Sequence, residues 1–179
     1  CLLNSVAIAA AHARYLGAER VTIIDWDVHH GNGTQDIFYE DPNVWYASIH
    51  QSPLYPGTGA RHETGTGAGE GTTVNAPLRA GTGDAEWLAA FDEVMAPFVE
   101  RARPDIILLS AGYDAHEDDP IGGCRVTDDG FAALSRRTRE LADRFADGRI
   151  VVVLEGGYDP PALARSVLRT ITELDAGTS

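Results

Sequence analysis

Val21-Thr22-Ile23-Ile24-Asp25-Trp26-Asp27-Val28-His29-His30-Gly31-Asn32-Gly33 runs from an apolar segment straight into a dense set of metal-type ligands and then into glycine. Its first half, Val21 to Trp26, has the β-branched, apolar character of a buried strand. Side chains alternate along an extended chain, so Asp25, Asp27 and His29 are expected on one side of it. Buried ionised carboxylates without partners cost several kcal/mol; two of them beside an imidazole call for a compensating cation. A lone Asp or His here would read as a cap or a surface residue. The whole string reads as half of a metal site, with Gly31 and Gly33 letting the backbone turn beside it.

Working outward, an amphipathic helix is expected over Leu2 to Tyr15, opening without a cap ahead of it. After the glycines come a short helix (Thr34 to Tyr39), a strand (Val44 to Ile49) and a long loop (Gln51 to Gly71). The loop glycines fit neither GxGxxG nor GxxxxGK[ST], so a nucleotide site is not indicated. A short strand at Thr72 to Asn75, closed by Pro77, precedes a helix at Asp84 to Ala102, whose Trp87, Leu88, Phe91, Val94, Met95, Phe98 and Val99 recur at helical spacing. Strands at Ile106 to Ser110 and Ile150 to Leu154 alternate with helices at Asp129 to Phe145 and Pro161 to Leu174. This βαβ repetition predicts an α/β fold, a mostly parallel sheet with helices on both faces and ligands at the carboxyl ends of strands.

Three strands deliver polar groups to that edge. The first ends in Asp25, Asp27 and His29, the second in Gly112-Tyr113-Asp114, the third in Glu155-Gly156-Gly157-Tyr158. An ion held by Asp27, His29 and Asp114 would keep open positions, as catalytic zinc does; the oxygen-rich set also admits Fe2+ or Co2+. Tyr158 is expected opposite, its hydroxyl free to donate to a developing oxyanion.

The 179 residues suit one domain, and a formal net charge of -13 argues against a general grip on nucleic-acid phosphates. Two cysteines, Cys1 and Cys124, make neither a disulfide framework nor a CxxC site, which fits a reducing compartment; the cytoplasm is the expected location. No apolar run approaches the roughly 18 to 20 residues of a membrane span. His116 and the Glu117-Asp118-Asp119 run read as a solvated loop, with a face toward a cationic substrate as the alternative.

The strings DWDVHHGNGTQ, SAGYDAHEDDPIGG and EGGYD, with CLLNSVAIAA and SPLYPGTG, resemble the zinc-dependent histone deacetylases and acetylpolyamine amidohydrolases, closest to their class II-like branch. The resemblance implies an arginase-like α/β fold and hydrolysis of an acetyl amide on a lysine side chain or a polyamine. It places zinc on Asp27, His29 and Asp114 and makes Tyr158 the residue that polarises the acetyl carbonyl. Asp25 matches a carboxylate that orients a catalytic histidine, and Asn32 stands where the partner of a second histidine lies. One potassium site is implied around Asp25, Asp27, His29, Ser48 and Ile49, and a second around Phe38, Asp41 and Val44. Tyr55 replaces an aromatic of the substrate tunnel wall, and Gly157 is expected to touch substrate.

The departure is upstream. The family's general base and acid are an adjacent histidine pair ahead of the segment that aligns with Cys1, and His29-His30 is not that pair, since His29 is committed to the metal. Residues 1–179 therefore read as part of a single catalytic domain cut at its N-terminus, inactive alone. A non-catalytic, metal-containing binder of acetylated ligands is the alternative, and an arginase-type dimanganese centre lacks enough bridging carboxylates. Homo-oligomers are compatible with the sequence.

Overall fold

The computed structural model describes residues 3–176 and contains one five-stranded parallel sheet, in the order β3-β2-β1-β4-β5. The strands are β1 (Val21–Asp25), β2 (Val44–Gln51), β3 (Thr73–Leu78), β4 (Ile106–Ala111) and β5 (Ile150–Leu154). The opening stretch is the centre of this sheet: β1 is buried at every residue and pairs with β2 on one side and β4 on the other. Parallel pairing requires long crossovers between strands, and α-helices fill them except between β2 and β3, where the connection carries only a 3-10 turn at Gly67–Gly69.

Alternation along the strands divides the core in two. Val21, Ile23, Val44, Tyr46 and Leu108 pack with Val6, Ala7 and Ala10 of α1 (Ser5–Tyr15). Ile24, Ala47, Ile49, Ile107 and Leu109 face the opposite way, onto a larger cluster with Trp87, Phe91, Met95, Phe98, Phe131 and Leu134. These come from α3 (Asp84–Ala90), the turn Phe91–Met95 that runs from it into α4 (Ala96–Ala102), α4 itself and α5 (Asp128–Phe145); α2 (Asn32–Phe38) and α6 (Pro160–Asp175) complete the set. Helices thus cover both faces, as the β, α alternation implies.

Several boundaries differ from the sequence reading, each for a physical reason. The first helix begins at Ser5, because Asn4 caps it from inside the expected span, accepting from the Ala7 N–H at 2.9 Å; Cys1 and Leu2 lie outside the described residues. Pro77 does not close β3 but lies within it. A proline is tolerated there since β3 is an edge strand, where a missing N–H costs no ladder bond. The helix expected over Asp84 to Ala102 contains a π-helical turn at Phe91–Met95, directly ahead of Pro97, whose ring removes one N–H from the regular ladder. β5 is apolar yet half exposed, with Val151 and Val152 at the sheet edge.

Phe131 ties α5 to the sheet beneath the carboxyl ends of the strands. Its ring is fully buried, 5.1 Å from Tyr113 and 6.5 Å from Trp26 between centroids, and lies parallel to His116 at 6.3 Å. Phe131→Ala is therefore expected to cost about 3–5 kcal/mol of stability. Equilibrium urea unfolding reads it as a lower midpoint at unchanged slope; a loss below about 1 kcal/mol would show that the ring's cavity collapses freely.

Candidate metal centre

The carboxyl ends of β1, β4 and β5 lie side by side, and three segments leave them. Beyond Asp25 the chain abandons the strand: the Trp26 N–H still bonds to the Ser110 carbonyl, but the next two N–H groups turn to carboxylates. The Asp27 N–H donates to Asp25 Oδ1 at 3.0 Å and the Val28 N–H to Asp114 Oδ1 at 2.8 Å. The His29 N–H donates to Asp27 Oδ1 at 2.8 Å, and the Gly156 N–H to Asp27 Oδ2 at 2.8 Å. Four main-chain donors therefore fix the two acidic side chains of this loop and that of Asp114.

Asp27, His29 and Asp114 come together: one ligand atom from each lies within 4.8 Å of the others. His29 Nδ1 is 3.1 Å from Asp27 Oδ1 and 3.0 Å from Asp114 Oδ2. Tetrahedral zinc with bonds of about 2.0–2.1 Å separates its ligand atoms by roughly 3.3 Å, so these spacings suit a small divalent ion with little rearrangement. The electrostatics agree. Hydrogen bonds to Asp114 and then Asp27 push the His29 imidazole up to about 10, and burial raises Asp114 to about 6. Concentrated negative charge that holds a proton on an imidazole would also hold a cation.

Asp25 does not join this group, which corrects the expectation that alternation would carry it to the side of Asp27 and His29. Strand geometry ends at Asp25, so the alternation stops there. Its carboxylate is buried instead against Tyr46, whose hydroxyl donates to Oδ2 at 2.9 Å. Burial, reinforced by the Asp27 charge, raises the Asp25 carboxyl well above its usual range.

Tyr158 is half exposed at the edge of the same cluster; burial first, then the charges of Asp114 and Asp27, raise its phenol above the ordinary value. Gly157 sits at φ 140, with Leu163 Cδ1 2.9 Å from where a Cβ would stand. Tyr55 is 79% exposed, on a loop whose base is pinned by buried histidines. His30 meets Thr58 Oγ1 and Gln35 Oε1 at 2.7 and 3.0 Å; His50 meets Ser48 Oγ and the Gly59 carbonyl at 2.9 and 3.1 Å. Burial depresses both imidazoles, that of His50 to about 4 with His30 beside it.

Of the residues expected around potassium, Asp25 and Ser48 stand opposite each other across β1 and β2, and Ile49 follows in β2. Phe38, Asp41 and Val44 are gathered where α2 turns into β2: the Asp41 N–H donates to the Phe38 carbonyl at 3.0 Å and Asp41 O accepts from Thr72 Oγ1 at 3.2 Å.

Sequence reasoning passed over two glycines and two polar side chains. A Cβ on Gly112 would meet Asp27 Cβ at 2.6 Å, and one on Gly156 would meet Asp114 Cγ at 2.6 Å and Asp27 Oδ2 at 2.7 Å. Glycine is required at both because the carboxylates pack directly on the backbone; GYD and GGYD after apolar strands were the available signal. The loop at His116 is solvated only in part: Glu117 and Asp118 are exposed as expected, whereas His116 and Asp119 are not. His116 is buried and bonded to Asp128 Oδ1 at 3.1 Å, and Asp119 is buried through backbone donors. Asp118 does reach solvent, paired with Arg165 at 3.0 Å.

Comparison with known proteins adds an independent line. Residues 1–174 match the family described as "Histone deacetylase domain". The chain is 52% identical over 171 residues to "Histone deacetylase 10, chloroplastic" of Oryza sativa subsp. japonica, covering 95% of this chain and 39% of that protein. It is 50% identical over 158 residues to a "Probable deacetylase" of Archaeoglobus fulgidus, covering 88% and 44%. The crystal structure of the HDA15 HD domain superposes with a TM-score of 0.93 at 41% identity, over 99% of this chain and 51% of that one. The chain thus spans less than half the length of these two curated relatives.

Proposed function

The chain belongs to the histone deacetylase family, and on that premise we propose that it carries the metal centre of a hydrolase that cleaves an N-acetyl amide, freeing acetate and an amine. The observation that carries this reading is the meeting of Asp27, His29 and Asp114 at the ends of separate strands. Zinc is the ion we assign to them, with Fe2+ or Co2+ as occupants of the same donor set; potassium near Asp25 and Ser48 belongs to the same reading. Among the described residues this is the one group of three such side chains able to share an ion, which supports a mononuclear centre over a dimanganese one.

When bound, such an ion lowers the pKa of a ligated water toward about 7 and polarises the acetyl oxygen. Water adds to the acetyl carbonyl carbon, the carbon–nitrogen bond breaks, and the amine leaves after taking up a proton. Tyr158 is a neutral phenol at physiological pH, as tyrosine ordinarily is, and so keeps the proton it donates in a hydrogen bond to the carbonyl oxygen as negative charge grows there. Tyr55 and Gly157 border the approach. Asp25, held by Tyr46, backs the loop and is the group we assign to orient a catalytic histidine, which the family resemblance places outside residues 1–179.

The substrate class we propose is an acetylated lysine side chain or an acetylated polyamine. No described helix is long and apolar enough to cross a membrane, and the cytoplasm is the location we assign, although the rice relative bears a chloroplastic name. The test uses a zinc-loaded chain that spans the relatives' aligned domain along with residues 1–179. It is offered an acetyl-lysine peptide and an N-acetylated diamine, and acetate and free amine are quantified. Equal amounts of the two products support the hydrolase; binding without acetate release from either substrate refutes it in favour of a ligand-binding role.

A further inference from the structure

The loop that leaves the metal centre after Asp114 returns to it through one carboxylate. Asp119 is 8% exposed, and both of its oxygens are taken by main-chain donors. Oδ1 accepts from Ile121 and Gly122 at 2.8 and 3.1 Å, and Oδ2 accepts from the Tyr158 N–H at 2.7 Å, across 39 positions of sequence. The loop itself is tight: the Asp119 N–H donates to the His116 carbonyl at 3.0 Å, and a Cβ on Gly122 would collide with the Asp114 carbonyl. Its geometry is therefore referred directly to a proposed metal ligand.

Tyr158 needs such a reference. Its side chain is half exposed, so packing does not fix the ring, and its placement falls to the backbone. On one side Gly156 is held by Asp27 Oδ2 and by the Tyr113 N–H, which donates to the Gly156 carbonyl at 2.8 Å. On the other, Asp159 caps α6, accepting from the Ala162 N–H at 2.8 Å. Between these anchors stands Gly157, at a φ that only glycine adopts freely, so the peptide leading into Tyr158 can pivot. The bond from the Tyr158 N–H to Asp119 removes that freedom, and as a hydrogen bond to a carboxylate it is of the stronger kind.

We propose that Asp119 is a positioning residue: by holding the Tyr158 N–H from the loop that carries Asp114, it sets the distance between the phenol and the metal centre. The inference rests on the proposed deacetylase activity. Asparagine is the informative replacement, because its single oxygen can serve one side only. Its NH2 must then face either the Tyr158 N–H or those of Ile121 and Gly122, donor against donor.

The experiment is a double-mutant cycle of D119N and Y158F in the zinc-loaded deacetylase, with zinc content and unfolding midpoint measured for each variant. D119N is expected to lower kcat by roughly ten- to a hundredfold, as about 1 Å of misplacement does, with KM changed less than about threefold and zinc content unchanged. In the Y158F background the same change is expected to cost less than about threefold, since no hydroxyl remains to misplace. Equal losses in both backgrounds, or no loss with Tyr158 intact, would overturn the proposal. A Y158F variant as fast as the parent would instead bring down the tyrosine's role, and this proposal with it. Should D119N lose zinc or fail to fold, Asp119→Ser, which leaves water to meet the freed N–H groups, is carried through the same cycle under the same criteria.

Discussion

Asp114→Ala is expected to weaken zinc binding by about a hundred- to a thousandfold. Structural zinc sites contribute roughly 10–16 kcal/mol through four ligands, which puts about 2.5–4 kcal/mol on each. Asp114 is also fully buried, and its Oδ1 accepts the Val28 N–H in the loop that presents His29. Alanine therefore removes a ligand and strands a buried donor. Asp114→Asn separates the two effects, because its oxygen can still take the Val28 N–H while an amide replaces the second carboxylate oxygen. Zinc titration against a chromophoric chelator should show both variants weakened, with the unfolding midpoint closer to the parent in the asparagine variant. The same loss should be reachable without touching a ligand. A Cβ at Gly156 would push on Asp114 Cγ and Asp27 Oδ2 together, so Gly156→Ala is expected to displace both carboxylates and lose zinc as well. If Asp114→Ala kept the parent affinity, the ion would have to be held elsewhere.

How much of this arrangement is legible in the chain depends on where each interaction is local. The strand Val21 to Asp25 is legible because burial on both faces needs an unbroken apolar, β-branched run, a property of five neighbouring residues. Asp114 could be joined to Asp27 and His29 because parallel strands place their carboxyl ends on one edge, so three strand ends already define a site. The fate of Asp25 was hidden, since the strand stops at that residue and its partner Tyr46 lies on another strand. Pro77 reads as a terminator until the sheet order makes β3 an edge. Asp119 belongs to a charge run that by composition is solvated; only the fold brings an N–H from 39 positions away to bury it. Contacts that depend on one distant partner are the ones that a pattern in the chain cannot carry.

Tyr158→Phe is expected to reduce kcat on an acetyl-lysine peptide by about a hundred- to a thousandfold, or roughly 2.7–4 kcal/mol of barrier, the usual cost of one oxyanion donor. Phenylalanine keeps the ring and the backbone bonds on either side of it, so zinc affinity and KM should stay close to the parent values. The protonation state of the phenol sets the pH dependence. A tyrosine hydroxyl with its ordinary pKa of about 10 keeps its proton through neutral pH, and burial, then the charges of Asp114 and Asp27, raise that of Tyr158 further. The parent enzyme should therefore keep the tyrosine contribution constant across neutral pH, and the ratio of parent to Y158F rates should fall only on the far alkaline side. A ratio that declined between pH 6 and 8 would mean that the hydroxyl ionises in that range and is not the neutral donor proposed. Parent-like turnover by Y158F would deny the hydroxyl any part in the reaction.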